Sequence, residues 1–332
     1  MKTYSILPFA LFASLSLFAQ NDFGKKVETI NQTTAEAHIT FLASDLLKGR
    51  DAGSPENRIA AEYIVSQFKE YGIPAYGESY YHPFDALVIP REGKRALYVT
   101  EPEEIEKRRS EGVRELHLQN VIGMIEGENR DEYVVIGSHY DHLGIGLAVN
   151  GDSIYNGADD NASGVSAVLQ IARAIREKGK KPKRTIIFAL WDGEERGLLG
   201  SERFVRDCDI VDNIRGYLNF DMIGRNTDEN NPALFRYFYT EANAVFGDWM
   251  KNQIKPYDLD LKPDFRPWDK PVGGSDNASF AKRNIPIIWY HTDAHPDYHQ
   301  PGDHADKINY PKMVDIARSA CLNIWNLANC EY

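Results

Sequence analysis

Apolar residues recur along this chain with two periods. At helical spacing they fall at Ile39, Leu42, Ala43, Leu46 and Leu47, behind Thr33-x-x-Glu36, which has the form of a capping box. The same spacing returns at Ile59, Ala60, Tyr63, Ile64 and Phe68, between a Ser54-Pro55 start and a Gly72, Pro74 stop. From residue 120 onward, compact apolar runs alternate with such stripes. Strands are predicted at 120–126, 133–138, 185–191 and 217–220, with helices at 162–177 and 196–206. A further run covers 285–290, and a last stripe opens at Pro311 and continues through Val314, Ala317, Cys321, Ile324 and Ala328. Unbroken apolar runs separated by helices predict a single α/β domain, with a mixed, mostly parallel central sheet flanked by helices on both faces. Residues 75–118 are less regular, with strand-like runs at 80–89 and 96–100 and a charged helical patch at 103–109. They are expected to form a lobe decorating the core.

The first residues follow another logic. Lys2, the apolar stretch 6–18 and the small residue Ala19 have the form of a secretory signal peptide over residues 1–20, too short to span a bilayer, which takes about 20 apolar residues. Export to the periplasm or the medium is therefore expected, with residues 21–332 as a mature domain lacking a membrane span. The 38 basic against 49 acidic residues leave a formal charge of −11, which argues against nucleic acid or an anionic membrane as partner. Cys208, Cys321 and Cys330 are too few for a disulfide framework and too scattered for a thiolate metal finger. Candidate metal ligands are then imidazoles and carboxylates.

These residues are clustered. His139-Tyr140-Asp141-His142 follows the run at 133–138, Asp192-Gly193-Glu194-Glu195 follows 185–191, Asp221 follows 217–220, and His299 lies beyond 285–290. Ligands in open α/β sheets bind outside the carboxyl ends of the strands, so the clusters can converge on one crevice. Gly157-Ala158-Asp159-Asp160-Asn161 precedes a helix and can join them. Taken singly each has an ordinary reading: a surface hydrogen bond, a helix cap for Asp159 to Ser163, a solvated helix start for Glu194 and Glu195. Their joint order at strand ends is what points to a site. Asp159-x-Asn161-x-Ser163 imitates a calcium loop, but apolar helix residues follow and Gln170 holds the twelfth position. His295 and His299 have the spacing of a zinc helix, yet Pro296 intervenes, so His299 is kept as a ligand and His295 is expected in a supporting role.

Two imidazoles with three carboxylates suit Zn2+, with Co2+ or Mn2+ tolerated, and one bridging carboxylate would allow two ions about 3.5–4 Å apart. Glu194 and Glu195 diverge as neighbours, so one can bind metal while the other acts as general base. Asp141 is placed to hold the second ring nitrogen of His139.

These motifs, together with Glu194-Glu195-Arg196-Gly197-Leu198-Leu199-Gly200-Ser201, Asn219-Phe220-Asp221-Met222 and His295-Pro296-Asp297-Tyr298-His299, resemble metallopeptidase family twenty-eight, the di-zinc exopeptidases. The resemblance runs from about Thr34 to the last helix and omits residues 75–118. It implies a zinc-dependent exopeptidase fold with two Zn2+: Asp159 as the bridge, His139 and Asp221 completing one site, Glu195 and His299 the other. It also implies Glu194 as the base and a cis peptide between Asp159 and Asp160. Gly273-Gly274-Ser275-Asp276-Asn277 is similar to the family's substrate-facing loop. Asn277 stands where many members have His, leaving a substrate role and simple loop packing both open.

The function expected is removal of N-terminal residues from peptides with a free amino end. A carboxypeptidase or a glutaminyl cyclase can retain most of these residues; the former needs a cation, for which Arg225 and Arg266 are candidates. A binding module with purely structural metals is the alternative from another class, and an intact Glu194 speaks against it.

Overall fold

The computed structural model describes residues 27–269 and 274–332; the expected signal peptide lies outside them. In chain order, helices α1 (Gln32–Leu42) and α2 (Pro55–Glu70) precede the strands β1 (Tyr81–Arg91) and β2 (Lys94–Val99), a short helix α3 (Pro102–Arg108) and β3 (Arg114–Ile125). Then come β4 (Asn129–His139), a separate hairpin of β5 (Gly144–Val149) and β6 (Asp152–Tyr155), helix α4 (Gly164–Lys178), β7 (Arg184–Trp191) and α5 (Leu199–Asp207). The chain closes with β8 (Ile214–Phe220), β9 (Leu234–Tyr239), α6 (Val245–Ile254), β10 (Lys262–Pro267), α7 (Asn277–Ala281), β11 (Ile287–His291) and α8 (Tyr310–Asn329).

Nine strands form one mixed sheet in the order β10-β9-β11-β8-β4-β7-β3-β1-β2. Its centre, β11, β8, β4 and β7, is parallel, and antiparallel pairs of β11 with β9 and of β3 with β7 bound it. Successive residues of these strands face opposite sides. Val134 and Ile136, Ile186 and Phe188, Leu218 and Phe220, Ile288 and Tyr290 pack with α1, α2, α4 and α8. Val135, Ile187, Ala189, Trp191, Tyr217, Ile287 and Trp289 pack on the other face, against Phe204 of α5 and Phe280 of α7. Burial on both faces is why β7 reads as an unbroken apolar run.

Three details depart from the sequence expectation. Residues 75–118, expected as a lobe decorating the core, place β1, β2 and the start of β3 in the central sheet itself, as its antiparallel edge. Helix α1 is capped by Asn31, whose Oδ1 accepts from Thr34 N at 2.9 Å, and not by Thr33. Helix α5 starts at Leu199 rather than 196, because Leu198 turns the chain at φ 62° and residues 193–198 form a tight loop. Between 222 and 284 the pattern missed β9, α6 and β10.

Candidate metal centre

The parallel centre puts the carboxyl ends of β4, β7, β8 and β11 on one edge, and the clusters meet there. His139 is the last residue of β4 and pairs with Trp191, the last of β7. Asp221 follows β8 directly, and Glu194 and Glu195 lie in the loop after β7. Their turn is held by Asp141, whose carboxylate oxygens accept from Glu194 N at 3.0 Å and Glu195 N at 3.3 Å. The two glutamates thus precede α5 and are not its solvated first turn. His299 comes from the loop between β11 and α8, at φ 54°, stacked on Tyr298 with ring centroids 3.9 Å apart.

Asp160, and not Asp159, is the aspartate that faces the candidate ligands. His139 Nε2 lies 3.3 Å from Asp160 Oδ1 and 3.6 Å from Asp221 Oδ1. His299 Nε2 lies 3.2 Å from Asp160 Oδ2 and 3.3 Å from Glu195 Oε2. Two ligand atoms on one tetrahedral Zn2+, each about 2.0–2.1 Å from it, stand roughly 3.3–3.4 Å apart. The two oxygens of Asp160 therefore face two such ligand sets, one with His139 and Asp221, the other with Glu195 and His299. The His139 set is buried and the His299 set partly so, and His139 Nε2 has no hydrogen-bond partner, as a nitrogen kept for a cation would be. The residues present fit two divalent ions.

Asp159 points the other way. Its Oδ1 accepts from Gly224 N at 2.6 Å and its Oδ2 lies 3.3 Å from His295 Nε2. The backbone N–H groups of Asp159 and Asp160 both donate to the buried carboxylate of Asp303 at 3.0–3.1 Å, which fixes which of the two aspartates faces the cleft. The cis peptide is likewise one residue later than expected, at Asp160–Asn161. Gly157 opens this turn at φ 60°; a Cβ there would sit 2.1 Å from Asp160 O, so no larger residue fits.

Asp141 also differs from expectation. His139 Nδ1 meets the backbone oxygen of Asp141 at 3.2 Å, while the carboxylate is 3.7 Å away and serves the Glu194–Glu195 turn instead. His295 stays with Asp159, away from both ligand sets. Sequence reasoning missed Asp160, Asp303, His142 and Arg50. The last is fully buried, and its guanidinium donates to the carbonyls of Leu42, Tyr140, Asn156 and Gly157, tying the His139 and Asp160 loops together. Asn156-Gly157 already stood beside the Asp159-Asp160 pair, but nothing near Arg50 in the chain marks its acceptors.

The acidity of these groups follows from their crowding. Burial lowers the His299 pKa, but Asp160 and Glu195 raise it more, to about 10. Burial raises that of Glu195, as does Asp160, yet the hydrogen bonds from His142 and His299 hold it at about 2. Glu194 is pushed well above the carboxylate range by burial and, against the attraction of His139, by Glu195, Asp221 and Asp276. It lines a cleft of about 230 Å3 together with Asp160, Asp221, Trp289, His291 and His299. Among the described residues lining it there is no Lys or Arg. Arg225 is bound to Asp297 at 2.8 Å and Arg266 to Asp264 at 2.7 Å, both outside the cleft. Asn277 is fully buried in α7 and does not line the cleft either. Two larger clefts, about 490 and 520 Å3, lie beside Arg184 and beside Cys208 and contain none of the ligand residues.

The fold is of the zinc-dependent exopeptidase type, with candidate metal-ligand groups at one edge of its sheet. The profile of peptidase family M28 matches residues 120–323, and the chain belongs to that family. It is 32% identical over 214 residues to a glutamate carboxypeptidase 2 homolog of Caenorhabditis briggsae, covering 55% of this chain and 26% of that protein. It is 31% identical over 174 residues to leupeptin-inactivating enzyme 1 of Streptomyces exfoliatus, covering 51% of this chain and 34% of that one. The chain thus spans about a quarter to a third of the length of these curated relatives. Among solved structures, an aminopeptidase from Aneurinibacillus sp. strain AM-1 superposes with a TM-score of 0.67 at 19% identity, over 93% of this chain and 97% of that one. A glutaminyl cyclase of Porphyromonas gingivalis gives 0.64 at 15% identity, over 89% and 97%. At such identities these two likenesses concern the fold.

Proposed function

We propose that this protein is a two-zinc aminopeptidase, with His139, Asp160 and Asp221 holding one ion and Asp160, Glu195 and His299 the other. The observation that carries this reading over its relatives is the lining of the cleft. Glu194 and Asp293 add carboxylates to those that would hold the ions, Arg236 pairs with Asp293 at 2.9 Å without lining the cleft, and no described lysine or arginine lines it, which suits a substrate's cationic amino end better than a carboxylate end. The relatives named as carboxypeptidases and the glutaminyl cyclase neighbour supply the competing readings.

Bound ions would polarise a peptide carbonyl and acidify water near neutral pH. Glu194 takes the proton from the attacking water and returns it to the leaving amine. Burial and its acidic neighbours raise its pKa, which favours the protonated form that returns the proton to the amine. The carboxylate of Asp141 holds the backbone of Glu194 and so aims its side chain.

Purified protein loaded with zinc should cleave aminoacyl amides bearing a free amine, leave N-acetylated peptides intact and stop when a chelator is added. Glu194→Gln should keep both metal equivalents while turnover drops by about 10²–10⁴-fold. Release of the C-terminal residue from N-acetylated peptides would establish a carboxypeptidase instead. Ammonia loss from N-terminal Gln without peptide cleavage would establish a cyclase.

A further inference from the structure

His142 belongs to neither ligand set, yet it is fully buried against one of them. Its backbone N–H donates to Arg50 O at 3.2 Å, and its ring is wedged against Gly157, where a Cβ would come within 2.6 Å of it. On the other side, Nδ1 stands 2.7 Å from Glu195 Oε1 and 3.8 Å from Asp160 Oδ2. The shorter distance is that of a hydrogen bond and is too short for two ligands sharing one ion, which stand roughly 3.3 Å apart. A carboxylate only accepts, so Nδ1 carries the proton. The opposite nitrogen, Nε2, is buried without a partner, which costs less for a bare acceptor than for an N–H.

We propose that His142 is a positioning residue of the second ion's site. Its Nδ1–H occupies Glu195 Oε1 and leaves only Oε2, the oxygen 3.3 Å from His299, to face the ion. This inference rests on the reading that the cluster takes two ions. A ligand carboxylate held by a single donor cannot rotate to chelate through both oxygens or swing toward solvent, so it meets the ion already oriented. Of the ligands of the His139 half His142 reaches only the shared Asp160, at 3.8 Å and beyond hydrogen-bond distance, whereas it bonds Glu195 at 2.7 Å and its ring meets the edge of His299, so its main effect falls on the second half.

The test is a zinc titration of the apo protein in competition with a chromophoric chelator, on wild type, His142→Leu and His142→Asn. Thermal melts of the metal-free forms check folding. Asn places a side-chain N–H near the position of Nδ1, whereas Leu removes it. His142→Leu should weaken the second equivalent by about 10–100-fold and leave the first unchanged, and His142→Asn should stay within about threefold of wild type. The inference is overturned if His142→Leu binds the second equivalent as wild type does. Equal weakening of both equivalents, or an Asn variant as poor as Leu, would show a role other than donation to Glu195 and overturn it too. A wild-type protein taking fewer than two equivalents overturns the two-ion reading and this inference with it, whereas a two-ion protein with an unaffected Leu variant overturns the inference alone.

Discussion

The two halves of the proposed metal centre share Asp160 and are otherwise built differently. The His139 half stands on the sheet: its imidazole ends β4, its aspartate directly follows β8, and their side chains are 1% and 8% exposed. The other half is made of turns. Glu195 is set by the carboxylate of Asp141 and the ring of His142, and His299, 27% exposed, hangs on a loop between the stacked ring of Tyr298 and the edge-on ring of His142. Ligands on strand ends inherit their positions from the backbone ladder, whereas ligands on turns need side-chain partners to hold them. One half is therefore expected to be pre-formed and the other to depend on its supporting residues.

Removing the shared residue should erase the distinction. Asp160→Asn is expected to bring peptidase turnover to background and cost both halves their affinity, while Asp159→Asn keeps two zinc equivalents. Metal analysis of the two variants side by side decides between the aspartates, and two equivalents on Asp160→Asn would refute the bridge.

A smaller effect should separate the halves. His299→Ala is predicted to lose one equivalent and retain the other, and wild type dialysed against rising chelator should release the His299-side ion first. Simultaneous release, or a His299→Ala protein that binds none, would mean that the halves are not independent.

The gentlest perturbation is pH. In the metal-free protein His299 stays protonated up to about 10 and His139 is raised well above its ordinary value by Glu194, Asp160 and Asp221 against the effect of burial. An ion arriving at neutral pH must displace these protons, so affinity should climb as pH rises and fall as it drops, by about tenfold per pH unit for each proton displaced. Calorimetry of zinc binding in buffers of different ionisation heat should count about one proton per imidazole. Affinity that stays flat between about pH 6 and 8 contradicts the crowding that sets these values.

Much of this was legible in one dimension. A buried strand followed by a polar cluster is a local pattern, and it found His139, Glu194, Glu195 and Asp221 because the chain itself places those residues at strand ends. His299 needed a longer reach, and only its position beyond an apolar run pointed to it. What was not legible has a common cause. The edge strands of residues 75–118 look like a decorating lobe because an antiparallel edge carries polar residues on its open side. Asp303 and Arg50 act on loops 143 and 107 residues away, at distances in the chain that no local pattern spans. Asp141 was rightly placed beside His139, but its carboxylate found the two N–H groups of the Glu194–Glu195 turn closer.

By itself, then, the sequence determined the kinds of ligand, their order and the edge of the sheet on which they gather, since side-chain type and burial period are properties of short segments. Only the tertiary structure decided which of two chemically identical neighbours, Asp159 or Asp160, bridges the halves. The direction was chosen by partners far along the chain, the carboxylate of Asp303 and the N–H of Gly224.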